Sequence, residues 1–407
     1  MTARTIGGPS ASAAFDERNG SQPAHWGGVF AMTLCVFALI ASEFMPVSLL
    51  TPLAFDLHVT EGMAGQGIAI SGACAVLTSL SISTVARKIN RKTLLLSLTA
   101  LMCLSGAIVG VAPNYLTYMA GRALIGIVVG GFWSMLAATA MQLVAPSKVP
   151  RALALFNGGN ALATVVAAPI GSCLGSTVGW RGAFFCLVPI ALIAFAWQWI
   201  SLPSMPAQQR AAGSGSVFRL LGNRRVRLGM LGVGLFFMGQ FALFTYLRPF
   251  LETVTRAGAS SLSLILLAIG ISGFVGATVI GWFLRKGVYL MLAIIPVLMA
   301  VIAVALMMGG ESAAVTTVLL SAWGLLATGA PVGWWMWIAQ TLPADAEAGG
   351  GLMVAVVQLC IALGSTLGGV LFDRSGYQST FAFSAALLLL GAFMVFLTAR
   401  ADGGEST

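Results

Sequence analysis

Long apolar runs broken by short polar interruptions dominate this chain. A helix crosses the hydrocarbon core of a bilayer in roughly 20 apolar residues. Read between breakers, the pattern predicts twelve such helices, at 28–52, 63–85, 93–112, 116–142, 150–176, 182–201, 228–250, 262–284, 288–309, 313–340, 350–371 and 377–399. The connections are short except for 202–227, which carries Pro203, Pro206, Gly213 and Gly215 and then Arg219, Arg224, Arg225 and Arg227. Pro and Gly followed by charge read as a linker. The predicted organisation is a disordered cytoplasmic tail (1–27), a six-helix bundle (28–201), a cytoplasmic linker (202–227), a second six-helix bundle (228–399) and a short cytoplasmic tail (400–407).

Composition agrees with the pattern. The chain has 407 residues, 58% hydrophobic and 8% charged, with a mean hydropathy of +0.95. Soluble domains carry about a quarter charged residues, so a water-soluble globule is excluded. The net charge of +9 does not imply nucleic acid, because the basic residues sit at span ends rather than in one patch. They also orient the chain, since cytoplasmic loops gather Lys and Arg. With the N-terminus inside, the inner side holds Arg4, Arg18, Arg87, Lys88, Arg91, Lys92, Lys148, Arg151, Arg285, Lys286, Arg400 and the linker arginines, against Arg181, Arg256 and Arg374 outside. Both termini are expected in the cytoplasm. The first 25 or so residues are polar and show no cleavable signal peptide. The six cysteines lie inside apolar runs without metal or redox spacing, so neither a disulfide nor a metal is expected. No Walker A sequence and no nucleophile arrangement appears, so neither ATP hydrolysis by that route nor another enzyme activity is predicted. No cofactor is called for.

The polar residues left inside the spans are the candidates for function. Glu43 is the one acid well inside a span, and Arg122 the one base. An ionisable residue there is a functional candidate by default. The alternative for Glu43 is a hydrogen-bonded structural carboxylate. By helical rise, Glu43 and Arg122 fall within about 5 Å of the same depth. They could pair, with Arg122 favouring the ionised acid and burial the neutral one, and a carboxyl so poised could load and release a proton. Arg122 could equally be a clamp on backbone carbonyls. The amides Asn157, Asn160, Gln240 and Gln358 recur near mid-span. Amides donate and accept together, which suits nucleobase edges and sugar hydroxyls; interhelical hydrogen bonding is the other reading. Among the aromatics, Trp133, Tyr246 and Trp334 are candidates to stack on a flat ligand, or to be packing and interface residues. Gly126–Gly130, Gly171–Gly175 and Gly364–Gly368 allow close helix contact.

The string from Glu43 through Pro46 and Pro52 to Asp56, together with Arg122-Gly126-Gly130, Ala168-Pro169-Ile170-Gly171 with Gly175, and Gly179-Trp180-Arg181, resembles the major facilitator superfamily, twelve-helix drug/proton antiporter branch. Ala168 stands where a Gly is usual. The loop between spans 2 and 3 departs further, with Ser83, Arg87 and Asn90 in place of Gly, Asp and Gly. Within the branch the chain is most similar to bacterial purine ribonucleoside efflux pumps, over Glu43–Asp56, Gly130–Met135, Gly239–Ala242, Phe244–Pro249 and Ala330–Trp334. The resemblance implies a major facilitator fold: an all-α polytopic membrane protein of twelve transmembrane helices in two six-helix bundles. It implies proton-driven export of purine nucleosides such as inosine, guanosine and adenosine across a bacterial inner membrane. The expected partners are the nucleoside, protons and the bilayer, with the monomer as the functional unit. Two alternatives remain at this level: a multidrug or sugar exporter of the same fold, and a non-transporting membrane sensor or receptor.

Overall fold

The computed structural model describes residues 25–86, 89–206, 217–342 and 345–403. Residues 1–24, 207–216 and 404–407 of the expected tails and linker, with Arg87 and Lys88, lie outside the described residues. The described chain is helical: α1 (Trp26–Asp56), α2 (Glu61–Ala86), α3 (Arg91–Gly110), α4 (Tyr115–Leu143), α5 (Val149–Thr177), α6 (Gly179–Phe185), α7 (Leu187–Ser201), α8 (Arg224–Phe244), α9 (Leu247–Thr253), α10 (Ala259–Leu284), α11 (Val288–Gly309), α12 (Ala313–Thr341) and α13 (Ala346–Gly403).

Twelve crossings follow. α6 and α7 share one, broken at Cys186, and α8 and α9 share another, broken at Thr245 and Tyr246. α13 is long enough for two and turns back at Gly376, with φ +78° and ψ −178°. That region is open to glycine alone, so the residue defines where the last two spans part. Helix starts are set by local chemistry. Asn90, Asn114 and Asn223 cap α3, α4 and α8, accepting from the backbone N–H of Lys92 (2.9 Å), Thr117 (3.0 Å) and Arg225 (2.8 Å). Such caps satisfy amide donors that no helical carbonyl can reach.

The helices pack in two halves, α1–α7 and α8–α13, each around its own apolar core. Small residues set the closest approaches. A Cβ on Gly126 or Gly130 of α4 would lie 2.2 Å from the Ser71 or Ala75 carbonyl oxygen of α2. In the second half, a Cβ on Gly364 or Gly368 of α13 would lie 2.3 Å or 2.8 Å from the Met238 or Ala242 carbonyl oxygen of α8. Between the halves, α2 packs on α13 and α5 on α10. After twelve crossings, His25 and Gly403 lie at one face of the bundle, the terminal face; the opposite one is the far face.

Candidate functional site: a cavity between the halves

α1 carries two internal prolines, Pro46 and Pro52. Proline has no amide donor, so the carbonyls four residues earlier, Ser42 and Ser48, lose their helical partners. Both are met by arginine. Arg122 of α4 donates from Nη1 to the Ser42 oxygen (2.8 Å), from Nη2 to the Glu43 carbonyl (3.3 Å) and from Nε to the Gly67 oxygen of α2 (3.1 Å). Arg248 of α9, in the other half, donates to the Ser48 oxygen and is itself held by Glu252 at 2.8 Å. One arginine therefore fastens α1 within its own half, and the other fastens it across the divide.

The cross-half bonds gather toward the far face. Asp373 of α13 sits at the N-terminus of α2, accepting from Thr60 Oγ1 (2.6 Å) and the Gly62 amide (3.0 Å). A carboxylate at a helix N-terminus is favoured by the orphan amides and the dipole. Ser365 Oγ donates to the Gly65 oxygen at 3.0 Å. Tyr246 donates to the Ser365 carbonyl at 2.7 Å, stacks on Phe372 and fills the space that Gly65 leaves open. Beneath this seal lies an apolar plug of Val47, Ile68, Phe241 and Ile361, with Phe44 stacked on Phe241 across the halves at 5.9 Å. Within the first half, Asp56 accepts from Trp180 Nε1 (3.2 Å) and pairs with Arg181, tying the far ends of α1 and α6.

Below the plug, on the terminal side, is a cavity of about 270 Å³. Its lining runs from Phe244 and Ile361 down to Trp335 and Met353. Small-molecule sites span roughly 300–1,000 Å³ and are mostly apolar with a few placed polar groups. Here Phe44, Trp133, Phe237, Phe241, Trp323 and Trp334 supply flat apolar surface, and Glu43, Asn160, Thr164, Gln240, Thr328 and Gln358 the polar groups. Three buried polar atoms of the lining have no partner: Gln240 Oε1, Gln358 Oε1 and Trp323 Nε1. Buried polar groups are normally paired, so each leaves an unmet hydrogen-bonding group in a residue that lines the cavity. Glu43 itself accepts from Gln358 Nε2 at 3.5 Å, a long bond joining α1 to α13.

Of the residues singled out in the sequence, Glu43, Trp133, Asn160, Gln240, Trp334 and Gln358 meet in this cavity. Arg122 does not line it. Its N–H groups are spent on carbonyls, and it forms no ion pair with the Glu43 carboxylate, so it acts as a clamp. Tyr246 is fully buried in the far-face seal rather than in the cavity wall. Asn157 is exposed, bonds to the Leu153 oxygen of its own helix at 3.0 Å and is not part of the lining. Its position nearer the start of α5 puts it beyond the cavity's depth. Trp323, Phe44, Thr164 and Thr328 were missed. Trp323 lies midway along span 10, where an indole N–H without a water partner is itself a signal. Among the described residues, no group of three or more His, Cys, Asp or Glu could hold a metal.

Twelve crossings in two packed halves around one small, mostly apolar chamber define a multi-pass membrane transporter for a small molecule. The chain belongs to the Major Facilitator Superfamily, whose family model matches residues 32–364. It is 65% identical over 385 residues, 94% of this chain and 96% of the relative, to a Pseudomonas aeruginosa protein named transcription regulatory protein OpdE. It is 38% identical over 371 residues, 91% of this chain and 93% of the relative, to the purine ribonucleoside efflux pump NepI of Escherichia coli strain K12. Among solved structures it superposes on a bacterial homologue of the human lysosomal transporter Spinster, inward-facing and unoccupied, with a TM-score of 0.75, 15% identity, and 94% of this chain and 98% of that one covered. The nucleoside transporter NupG gives a TM-score of 0.75 at 12% identity, with 91% and 99% covered.

Proposed function

We propose that this chain is a proton-coupled antiporter that exports purine ribonucleosides, among them inosine, guanosine, adenosine and analogues, across the bacterial inner membrane by alternating access. The observation that carries the reading is Glu43. It is a buried carboxyl on the cavity wall, touching the opposite half through Gln358, while the nearest cation is committed to backbone carbonyls. A proton bound there is felt by both halves and by whatever fills the cavity. Flat aromatic walls and amide groups suit a purine with its ribose hydroxyls. The name of the 38%-identical relatives supports the same cargo.

The terminal face is read as cytoplasmic from its Lys and Arg, which makes the far face periplasmic and this form, sealed at Asp373, Ser365 and Arg248, inward-open. Each polypeptide holds both halves and works as a monomer. The decisive experiment is flux of labelled inosine in proteoliposomes with and without an imposed pH gradient. Gradient-driven accumulation is expected, and Glu43→Gln should abolish it; wild-type accumulation by that variant would remove the coupling role.

A second reading comes from the name of the 65%-identical relative, a transcription regulatory protein. A membrane sensor would bind ligand without moving it, so binding of inosine with no flux under any gradient selects that reading. A multidrug or sugar exporter of the same fold would instead confer resistance to lipophilic drugs, or move sugars, without moving nucleosides.

A further inference from the structure

α3 leaves the terminal face and α7 returns to it, and the two pack side by side. Between them lies a groove of about 500 Å³, apart from the cargo cavity. Lys92, Thr93 and Trp199 line its terminal end, and Leu96, Phe195 and Ala100 line it further in. By helical rise it reaches about 12 Å from Lys92 to Ala100, most of the ~15 Å of hydrocarbon in one leaflet. Its inner part is apolar. The Phe195 and Trp199 rings, 6.1 Å apart, form one aromatic wall. Ser97 donates its hydroxyl to the Thr93 carbonyl of its own helix at 2.9 Å. Thr93, Ser97, Ala100 and Trp199 are all exposed, so the groove opens outward, to the side that lipid occupies. Trp199 stands at the depth where tryptophans mark the membrane–water interface.

The mouth of the groove is basic, and no carboxylate balances it. Lys92 is half-buried in the wall and makes no ion pair among the described residues. The sequence has no Asp or Glu between Glu61 and Glu252. The acids of the described first half are Glu43, at the cavity, and Asp56 and Glu61, at the far ends of α1 and α2. Its terminal face therefore carries cations alone. We infer that this groove is a binding site for one anionic phospholipid of the terminal-side leaflet. An acyl chain lies along Leu96, Ala100 and Phe195, and the headgroup phosphate meets the Lys92 ammonium and the exposed Thr93 hydroxyl. Basic pockets between membrane helices hold anionic headgroups in this way. A zwitterionic headgroup fits less well: its phosphate could meet Lys92, but its ammonium would find only like charge. A free phosphate would leave the apolar length of the groove unfilled.

The test is native mass spectrometry of the purified full chain, titrated with dioleoyl phosphatidylglycerol or dioleoyl phosphatidylethanolamine. Wild type should retain the phosphatidylglycerol about fivefold more tightly, the worth of one lysine at an anionic surface. Lys92→Gln should hold the two lipids alike to within about twofold. Ala100→Phe fills the inner groove from an exposed position and should lose the retained lipid; Ser97→Phe blocks the same channel should that variant not fold. Lys148→Gln removes an equal charge from an exposed position outside the groove and should keep the preference. Glycerol phosphate, a headgroup without chains, should not displace the lipid. Equal retention of the two lipids by wild type overturns the site. So does a preference that persists in Lys92→Gln or in the blocked variants, its loss in Lys148→Gln, or displacement by glycerol phosphate. None of these readouts uses inosine or a proton gradient, so the site stands or falls apart from the function proposed above.

Discussion

Arg122 Nη1 occupies the carbonyl of Ser42 that Pro46 leaves without a helical donor. The buried arginine and the proline are one feature seen from two helices. Arg122→Ala should orphan buried oxygens at a cost of about 2–3 kcal/mol. Pro46→Ala restores an amide to Ser42, so the double variant should lose less than the sum of the two single changes. Thermal melts in detergent, arranged as a double-mutant cycle, measure the coupling; strict additivity would show that the two residues do not share that carbonyl.

The far-face seal has two polar latches on α1 and α2. Arg248 reaches the Ser48 carbonyl, and Asp373 caps α2 through Thr60 and Gly62. Arg248→Gln with Asp373→Asn should release both while leaving the cavity lining untouched. In a cysteine-free background, Ile361→Cys in the plug beneath the seal should then react faster with an impermeant thiol reagent added at the far face. Unchanged labelling would mean that these bonds do not hold that face closed.

Tyr246 separates gating from binding. Its hydroxyl bonds to Ser365 in the seal, and its ring fills the gap left by Gly65. Tyr246→Phe is expected to leave inosine affinity within about twofold, or ~0.4 kcal/mol, and to alter transport rate. Gly65→Ala should be worse, because its Cβ would lie 2.3 Å from the Tyr246 oxygen. A large loss of affinity in Tyr246→Phe with the transport rate intact would return the residue to the binding site.

Trp323 lines the cavity with a side chain only 1% exposed, and its indole N–H has no partner within the protein. Trp323→Phe keeps an aromatic face and removes that donor. Equilibrium binding should weaken by about fivefold, the worth of one hydrogen bond of ~1 kcal/mol. Equal affinity in the two proteins would place the cargo's acceptor elsewhere.

The fold was legible because hydrocarbon imposes one rule on every span, and twelve apolar runs obey it. The last two spans, expected to divide between 371 and 377, part at Gly376. The site was legible in part. Glu43, Asn160, Gln240 and Gln358 stand out because polarity is costly at that depth, and all four meet at the cavity. Depth alone does not say which way a side chain points. It placed Arg122 beside Glu43 correctly, but the prolines of α1 decide that its partners are carbonyls. It grouped Asn157 with Asn160, though one turn of α5 carries Asn157 past the chamber. Tyr246 reads as a ligand stacker until the break between α8 and α9 turns it into the seal.

The carbonyl that Pro52 strips of its donor has a further consequence. While the far face is shut, Arg248 satisfies the Ser48 oxygen from the other half. When the halves separate there, that oxygen has no helical amide to return to, and solvent must take over. Opening toward the far side is therefore a hydration event as well as a rocking of helices. Agents that lower water activity by exclusion from protein surfaces favour the drier arrangement, so the balance between the two forms should follow osmotic pressure as well as cargo and protons.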